Sequence, residues 1–184
     1  DYALYEDLLR DDQVASTFQQ RRLAVTSAEW GVLPGDDRKE SQKAADHIRE
    51  TLHNINWDGV TDKMLYGLFY GYAVAECLWE RQGALIELTN ILVRKQRRFA
   101  FDQQGNLILR LVSNQQGEVL PKKKFWHFCA GADNDDEPYG LGLAHWLYWP
   151  VYFKRNGIKM WSIFMDKFGM PTAKGSYPGN ATEE

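Results

Sequence analysis

The residues able to do chemistry fall into short clusters, and each has a bland reading beside the sharp one. Asp133-Asn134-Asp135-Asp136-Glu137 offers hard oxygen ligands to a cation. It lacks the D-x-[DN]-x-[DN]-G spacing and the distant bidentate glutamate of a calcium loop, so it reads as a solvated loop. His127 and Cys129 alternate on a predicted strand and would share one side, as two metal ligands do, but no second pair stands at a zinc spacing. His47 and His53 fall on a polar helix and His145 beside aromatic residues, as ordinary exposed or packed side chains. Tyr139-Gly140-Leu141-Gly142 precedes a predicted helix and could hold a phosphate on helix-start amides. Without a following Lys-Ser/Thr it reads as a tight turn into that helix. G-x-S-x-G, G-x-G-x-x-G, H-E-x-x-H and the P-loop are absent from the sequence. No catalytic residue, metal or cofactor is therefore expected.

Basic residues cluster at Arg94–Arg98, at Lys122–Lys124, and at Lys154 and Arg155 with Lys159. Interleaved with aromatic residues, they could meet phosphates; the bland reading is a solvated strand end and helix face. Net charge is −3, with an isoelectric point of about 5.8, so no global field draws nucleic acid to the chain.

These clusters are positioned by elements legible in the pattern. The dominant one spans residues 141–171, where Trp149 and Phe153, Tyr148 and Tyr152, Trp161 and Met165, and Phe164 and Phe168 recur at i,i+4 on a helix. Gly169-Met170-Pro171 supplies the stop. Continuous, it would run roughly 40 Å; Pro150 and Gly157 predict a kink or two helices. Lys154, Arg155, Asn156 and Lys159 break it well short of the about 20 apolar residues of a bilayer span.

Upstream, Leu4, Leu8 and Leu9 predict a first helical turn or two, with Asp11 and Asp12 as caps. Val14, Ala15, Phe18 and Leu23 mark a second helix, and Glu29–Leu33 a short extended piece closed by Pro34-Gly35. Residues 38–55 form a polar helix with Ala44, Ala45, Ile48 and Leu52 on one side. Asp58 is the predicted cap of a helix whose apolar face runs from Val60 to Leu68 and Phe69. Strands follow at 73–81, then a strand or irregular connector at 85–93, a hairpin of 99–102 with 107–112, a turn at Gln115–Glu118, and a strand at 124–129. Helices, then a small mostly antiparallel sheet, then a helix define an α+β fold. The expected division is an α+β body over 1–140, the long helix over 141–171, and the start of a truncated further segment over 172–184.

A hydrophobic fraction of 44% in 184 residues suffices for a folded core. The two cysteines, Cys77 and Cys129, match no C-x-x-C pattern, and the N-terminus has no apolar leader, so a reduced intracellular protein is expected. Its ends read as cut from something longer.

Several short motifs also occur in one order over most of the chain. They are Asp12–Ala15 (DQVA), Gln20–Arg22, Glu29-Trp30, Arg98–Asp102 (RFAFD), Gly105–Leu111 (GNLILRL), Leu120–Phe125 (LPKKKF) and His127. Pro138–Gly142 (PYGLG), Leu147–Pro150 (LYWP), Phe153–Arg155, Lys159–Trp161, Phe168–Pro171 (FGMP) and Lys174–Gly179 (KGSYPG) complete the order. In this the chain resembles the Mu-type phage portal family. The resemblance implies a non-enzymatic head-to-tail connector subunit with a wing-like α+β body. It implies a homo-oligomeric ring, usually of twelve, at the capsid vertex, assembled in the host cytoplasm. The implied partners are terminase, scaffold and head proteins, tail or head-completion proteins, and double-stranded DNA passing through the channel; no membrane is implied. The long helix would be a channel-side or subunit-contact element with its aromatic face packed and Lys154, Arg155 and Lys159 outward. With Arg97 and Arg98, these are the candidate DNA- or subunit-contacting residues. The competing readings are a non-catalytic fragment of a nucleic-acid enzyme and a membrane-associated adaptor using the aromatic helix.

Overall fold

The computed structural model describes residues 2–111, 114–121, 123–169, 174–176 and 179. The chain divides into two compact units, 1–147 and 148–184. In the first, α1 (Tyr2–Leu8) leads into α2 (Asp12–Thr26), and Asp11 caps α2 by accepting from the amides of Gln13 and Val14, each at 3.2 Å. Val14 and Phe18 face inward as the spacing requires, whereas Leu23 lies on the exposed side. The polar helix is α3 (Lys39–Asn54), which buries Ala45 and turns Leu52 to the core.

The expected helix from Asp58 to Phe69 is two pieces, α4 (Trp57–Met64) and α5 (Gly67–Tyr70). Its cap is not Asp58. Asn56, left-handed at φ 55°, accepts from the Gly59 amide at 3.2 Å, and Asp58 instead accepts from the Trp30 indole at 2.7 Å. That bond, with the Arg49 guanidinium donating to the Val32 carbonyl at 2.9 Å, fastens the segment around residues 29–33, which forms no strand ladder.

The expected single sheet is two. Strands β1 (Tyr72–Gln82), β2 (Leu85–Arg94) and β6 (Phe125–Cys129) form a three-stranded antiparallel sheet in the order β2-β1-β6. Strands β3 (Phe99–Phe101), β4 (Leu107–Leu111) and β5 (Asn114–Val119) form a second, in the order β3-β4-β5. Residues 85–93 are thus a true strand, and the 99–102/107–112 hairpin is present.

The predicted turn at Gln115–Glu118 lies inside β5. Gly117, at φ 78°, stands where the register shifts between Leu109 and Leu111, a bulge rather than a reversal.

Strand β1 explains the layering. Its period-2 alternation sends Ala73 and Ala75 to one face, against Ile55, Val60, Met64 and Ile91, and Tyr72 and Val74 to the other, against Phe99, Phe101, Leu107 and Leu109. Helices α3 and α4 therefore cover one face of the first sheet, and the second sheet covers the other. Small alanines on the helix side let α4 approach closely.

Helix α6 (Leu143–Phe168) begins in the first unit and continues through the second. It runs as one helix through Pro150, so the division into two helices does not occur. Pro150 has no N–H to donate to the Trp146 carbonyl, and its ring crowds that same carbonyl. The described helix stops before Gly169, whose amide bonds the Met165 carbonyl at 2.7 Å. Met170 and Pro171, and the helix start expected at Asn180–Glu184, lie outside the described residues.

Candidate functional site

Two amides of the loop that looked able to bind a phosphate, those of Gly140 and Leu141, are committed to backbone carbonyls. Leu141 N donates to the Ala130 carbonyl at 2.9 Å, Gly140 N to Glu137 at 3.1 Å, and Ala130 N to Gly71 at 2.8 Å. Three backbone segments thus cross where α5 meets β1, where β6 ends, and where α6 begins. Glycines stand at the crossing because nothing larger fits. A Cβ on Gly71 would lie 2.5 Å from the Tyr139 oxygen, and one on Gly142 would lie 2.6 Å from the Tyr70 carbonyl carbon. Gly131 and Gly140 carry positive φ (74° and 61°) in the same crossing. The sequence shows a tight turn at 139–142 and small residues for close packing at 66–71; that Gly71 and Gly131 meet that turn leaves no local signal, because the segments are far apart in the chain.

His127 and Cys129 do sit near one another on β6, but in packing roles. The His127 ring lies 4.8 Å from Phe101 and 5.8 Å from Tyr72, centroid to centroid. Burial pushes its pKa down, and a hydrogen bond to the Pro138 backbone opposes this. Its Nε2 is buried without a hydrogen-bond partner. The Cys129 thiol points to the Glu137 carbonyl at 3.4 Å, and burial raises its pKa. In the acid-rich loop, Asp136 N donates to Asn134 Oδ1 at 2.9 Å, a local turn bond. Among the described residues no group of three or more His, Cys, Asp or Glu is placed to hold a metal ion.

The basic clusters separate on folding. Arg94 forks onto Glu76 Oε2 at 3.0 and 2.8 Å, and Lys124 reaches Glu76 Oε1 at 3.5 Å, so members of two clusters become one ion cluster across β1, β2 and β6. Desolvation raises the Glu76 pKa, but the Arg94 bonds and charge, helped by Lys124, more than offset it, and the carboxyl titrates below the usual range. Arg97 and Arg98 are exposed on a single 3-10 turn, Gln96–Arg98, between β2 and β3. Lys122 lies outside the described residues.

On α6 the candidate cations do not share one face. At about 100° per residue, Arg155 and Lys159 lie one turn apart on one stripe with Ser162 and Asp166, while Lys154 sits about 100° from Arg155, among the aromatic residues. The predicted i,i+4 ring pairs form: Trp149–Phe153 at 5.9 Å, Tyr148–Tyr152 at 6.2 Å and Phe164–Phe168 at 5.0 Å. These rings remain largely exposed from Trp149 to Phe168. No helix among the described residues is long and apolar enough to cross a membrane.

Comparison with known proteins gives the family. The profile of the family described as the portal protein of Mu bacteriophage matches residues 2–184. The chain belongs to this portal family. It is 28% identical over 179 residues to the portal protein of Escherichia phage Mu, covering 94% of this chain and 34% of that protein. It is 24% identical over 179 residues to the Mu-like prophage FluMu protein gp29 of Haemophilus influenzae (strain ATCC 51907 / DSM 11121 / KW20 / Rd), covering 95% of this chain and 34% of that protein. The chain therefore spans about a third of the length of the curated relatives it matches.

Proposed function

We propose that this chain is part of a portal subunit, which with further copies forms a ring at a capsid vertex through which double-stranded DNA is packaged and ejected. The observation that carries the reading is the family match across residues 2–184. The work of such a subunit is holding and guiding rather than turnover. Its partners in this reading are other copies of itself, terminase, scaffold and head proteins, tail or head-completion proteins, and the DNA; it assembles in the host cytoplasm and ends in the virion. The net charge of −3 suits passage of DNA, because a strongly basic channel would hold phosphates rather than let them slide.

Arg155 and Lys159, one turn apart on the polar stripe of α6, are proposed contacts to DNA or to a neighbouring subunit, as are Lys154, Arg97 and Arg98. The test is native mass spectrometry and negative-stain imaging of the full-length protein that carries this sequence. Rings with a central hole are expected, without ATP turnover by the purified protein. A stable monomer or dimer at every concentration, with scaffold protein present, would overturn the reading; so would robust ATP hydrolysis.

A further inference from the structure

The polar residues of α6 between Pro150 and Gly169 are not spread evenly. At about 100° per residue, Arg155, Lys159, Ser162 and Asp166 fall within an arc of about 60°. Large apolar side chains, from Tyr152 through Trp149, Phe153 and Trp161 to Ile158, occupy an arc of about 240° on the other side, with only Lys154, Asn156 and Lys167 interspersed. An ordinary surface helix has a stripe little wider than about 100° facing one core. An arc more than twice that width has two opposed flanks: Tyr152 and Ile163 point about 140–180° away from Trp161 and Met165. One neighbour cannot reach both.

These side chains are exposed by between 47% (Tyr152) and 72% (Met160). Aromatic residues present about 150–250 Å² each, so the rings and aliphatic chains together expose on the order of 1,000 Å². A monomer's largest apolar patch is usually about 300–600 Å². A standard protein interface buries about 800 Å² per partner; divided between two flanks the helix offers about 500 Å² to each neighbour, so it supplies the larger part of each contact rather than all of it. A surface used on two opposed sides is what head-to-tail repetition of identical subunits needs, since each copy must offer one patch to the copy before it and another to the copy after.

We infer that a second copy of this chain covers each flank of α6, the Tyr152/Ile163 flank of one copy meeting the Trp161/Met165 flank of the next. This deepens the ring reading by naming the surface and the partner. It leaves the Arg155–Lys159–Ser162–Asp166 stripe between the two flanks, outside both apolar contacts.

The test uses the full-length protein with Ile163→Glu on one flank and Trp161→Glu on the other, sized by native mass spectrometry, with circular dichroism as the check on folding. Each variant alone is expected to be a folded monomer. Mixed, they are expected to stop at dimers, because only one intact flank remains on each. Rings of wild-type size from either variant would overturn the inference, as would loss of fold in both, which would mean that other parts of the same polypeptide cover the helix.

A second measurement does not depend on tolerating a buried charge. Ile163→Cys with Trp161→Cys in one chain, treated with a short bifunctional thiol reagent, is expected to give a ladder of covalent oligomers. Each single variant should give none beyond the background of Cys77 and Cys129, and absence of the ladder counts against the inference. Open chains built through both flanks would keep this inference and sink the ring; rings indifferent to all these changes would do the reverse.

Discussion

Replacing Gly142 by alanine adds a single methyl group at the place where α6 leaves the body, and the structure sets its cost. The new Cβ would lie 2.6 Å from the Tyr70 carbonyl carbon, and closer still to the Phe69 oxygen and the Gly71 nitrogen. Non-bonded carbons sit at about 3.5–4.0 Å, so the crossing must open by about 1 Å. The obstacles are backbone atoms, which cannot rotate away as a side chain would. Overpacking of this kind costs about 1–3 kcal/mol.

Opening the crossing also loosens the bonds from Ala130 N to the Gly71 carbonyl and from Leu141 N to the Ala130 carbonyl, at 2.8 and 2.9 Å, each contributing about 1 kcal/mol. The lower entropy of an unfolded chain with alanine returns about 0.5 kcal/mol. The expected net loss is about 3 kcal/mol, or a fall in Tm of roughly 6–12 °C at about 2–4 °C per kcal/mol for a chain of this size. Thermal and urea unfolding of the chain, followed by circular dichroism, measures it. Gly31→Ala is the matched control, because nothing lies within 4 Å of its added Cβ; it should change stability by less than about 1 kcal/mol, in the stabilising direction if at all. If the two substitutions prove equally mild, the reasoning that the crossing is closed to any side chain is wrong.

The other predictions concern polar anchors. Glu76→Gln removes the charge on which Arg94 and Lys124 converge and should cost about 1.5–3 kcal/mol near neutral pH, measured by urea unfolding. The folded pKa of Glu76 is depressed, so its contribution is fully present above the unfolded value of about 4.3 and is lost as pH falls through the lower folded value. The stability gap between wild type and E76Q should therefore narrow below about pH 4; a gap independent of pH would refute the ion cluster. Asp11→Ala should cost about 1 kcal/mol through loss of the α2 cap, while Asp12→Ala, beside it on the exposed side, should cost less; equal losses in a denaturation series would assign the cap wrongly.

Local elements were legible wherever one chain segment decides its own conformation. The alternation from Tyr72 onward, the hairpin around Asp102–Asn106 and the i,i+4 ring pairs of α6 all follow from side-chain spacing acting within a few residues. Errors arose where two signals of similar strength competed. Asn56 and Asp58 are both credible caps, and the choice fell to Asn56 because Asp58 is taken by Trp30, which lies 28 residues away. Gly117 satisfies both a turn and a bulge; the ladder with β4 selects the bulge. Pro150 predicts a kink or two helices, and the structure has one helix through it.

The sequence by itself determined the α+β class, the extent of the aromatic helix and, through the order of its motifs, the resemblance to portal proteins. Each of these is written in residue types and short spacings. Tertiary structure decided which charges remain available for recognition. It drew Arg94 and Lys124 onto Glu76 and left Arg97 and Arg98 at the surface, because β1 runs between β2, which ends at Arg94, and β6, which Lys124 immediately precedes. It also decided that glycines 71, 131, 140 and 142 form one crossing, since close approach of backbones distant in sequence leaves no periodic trace along the chain.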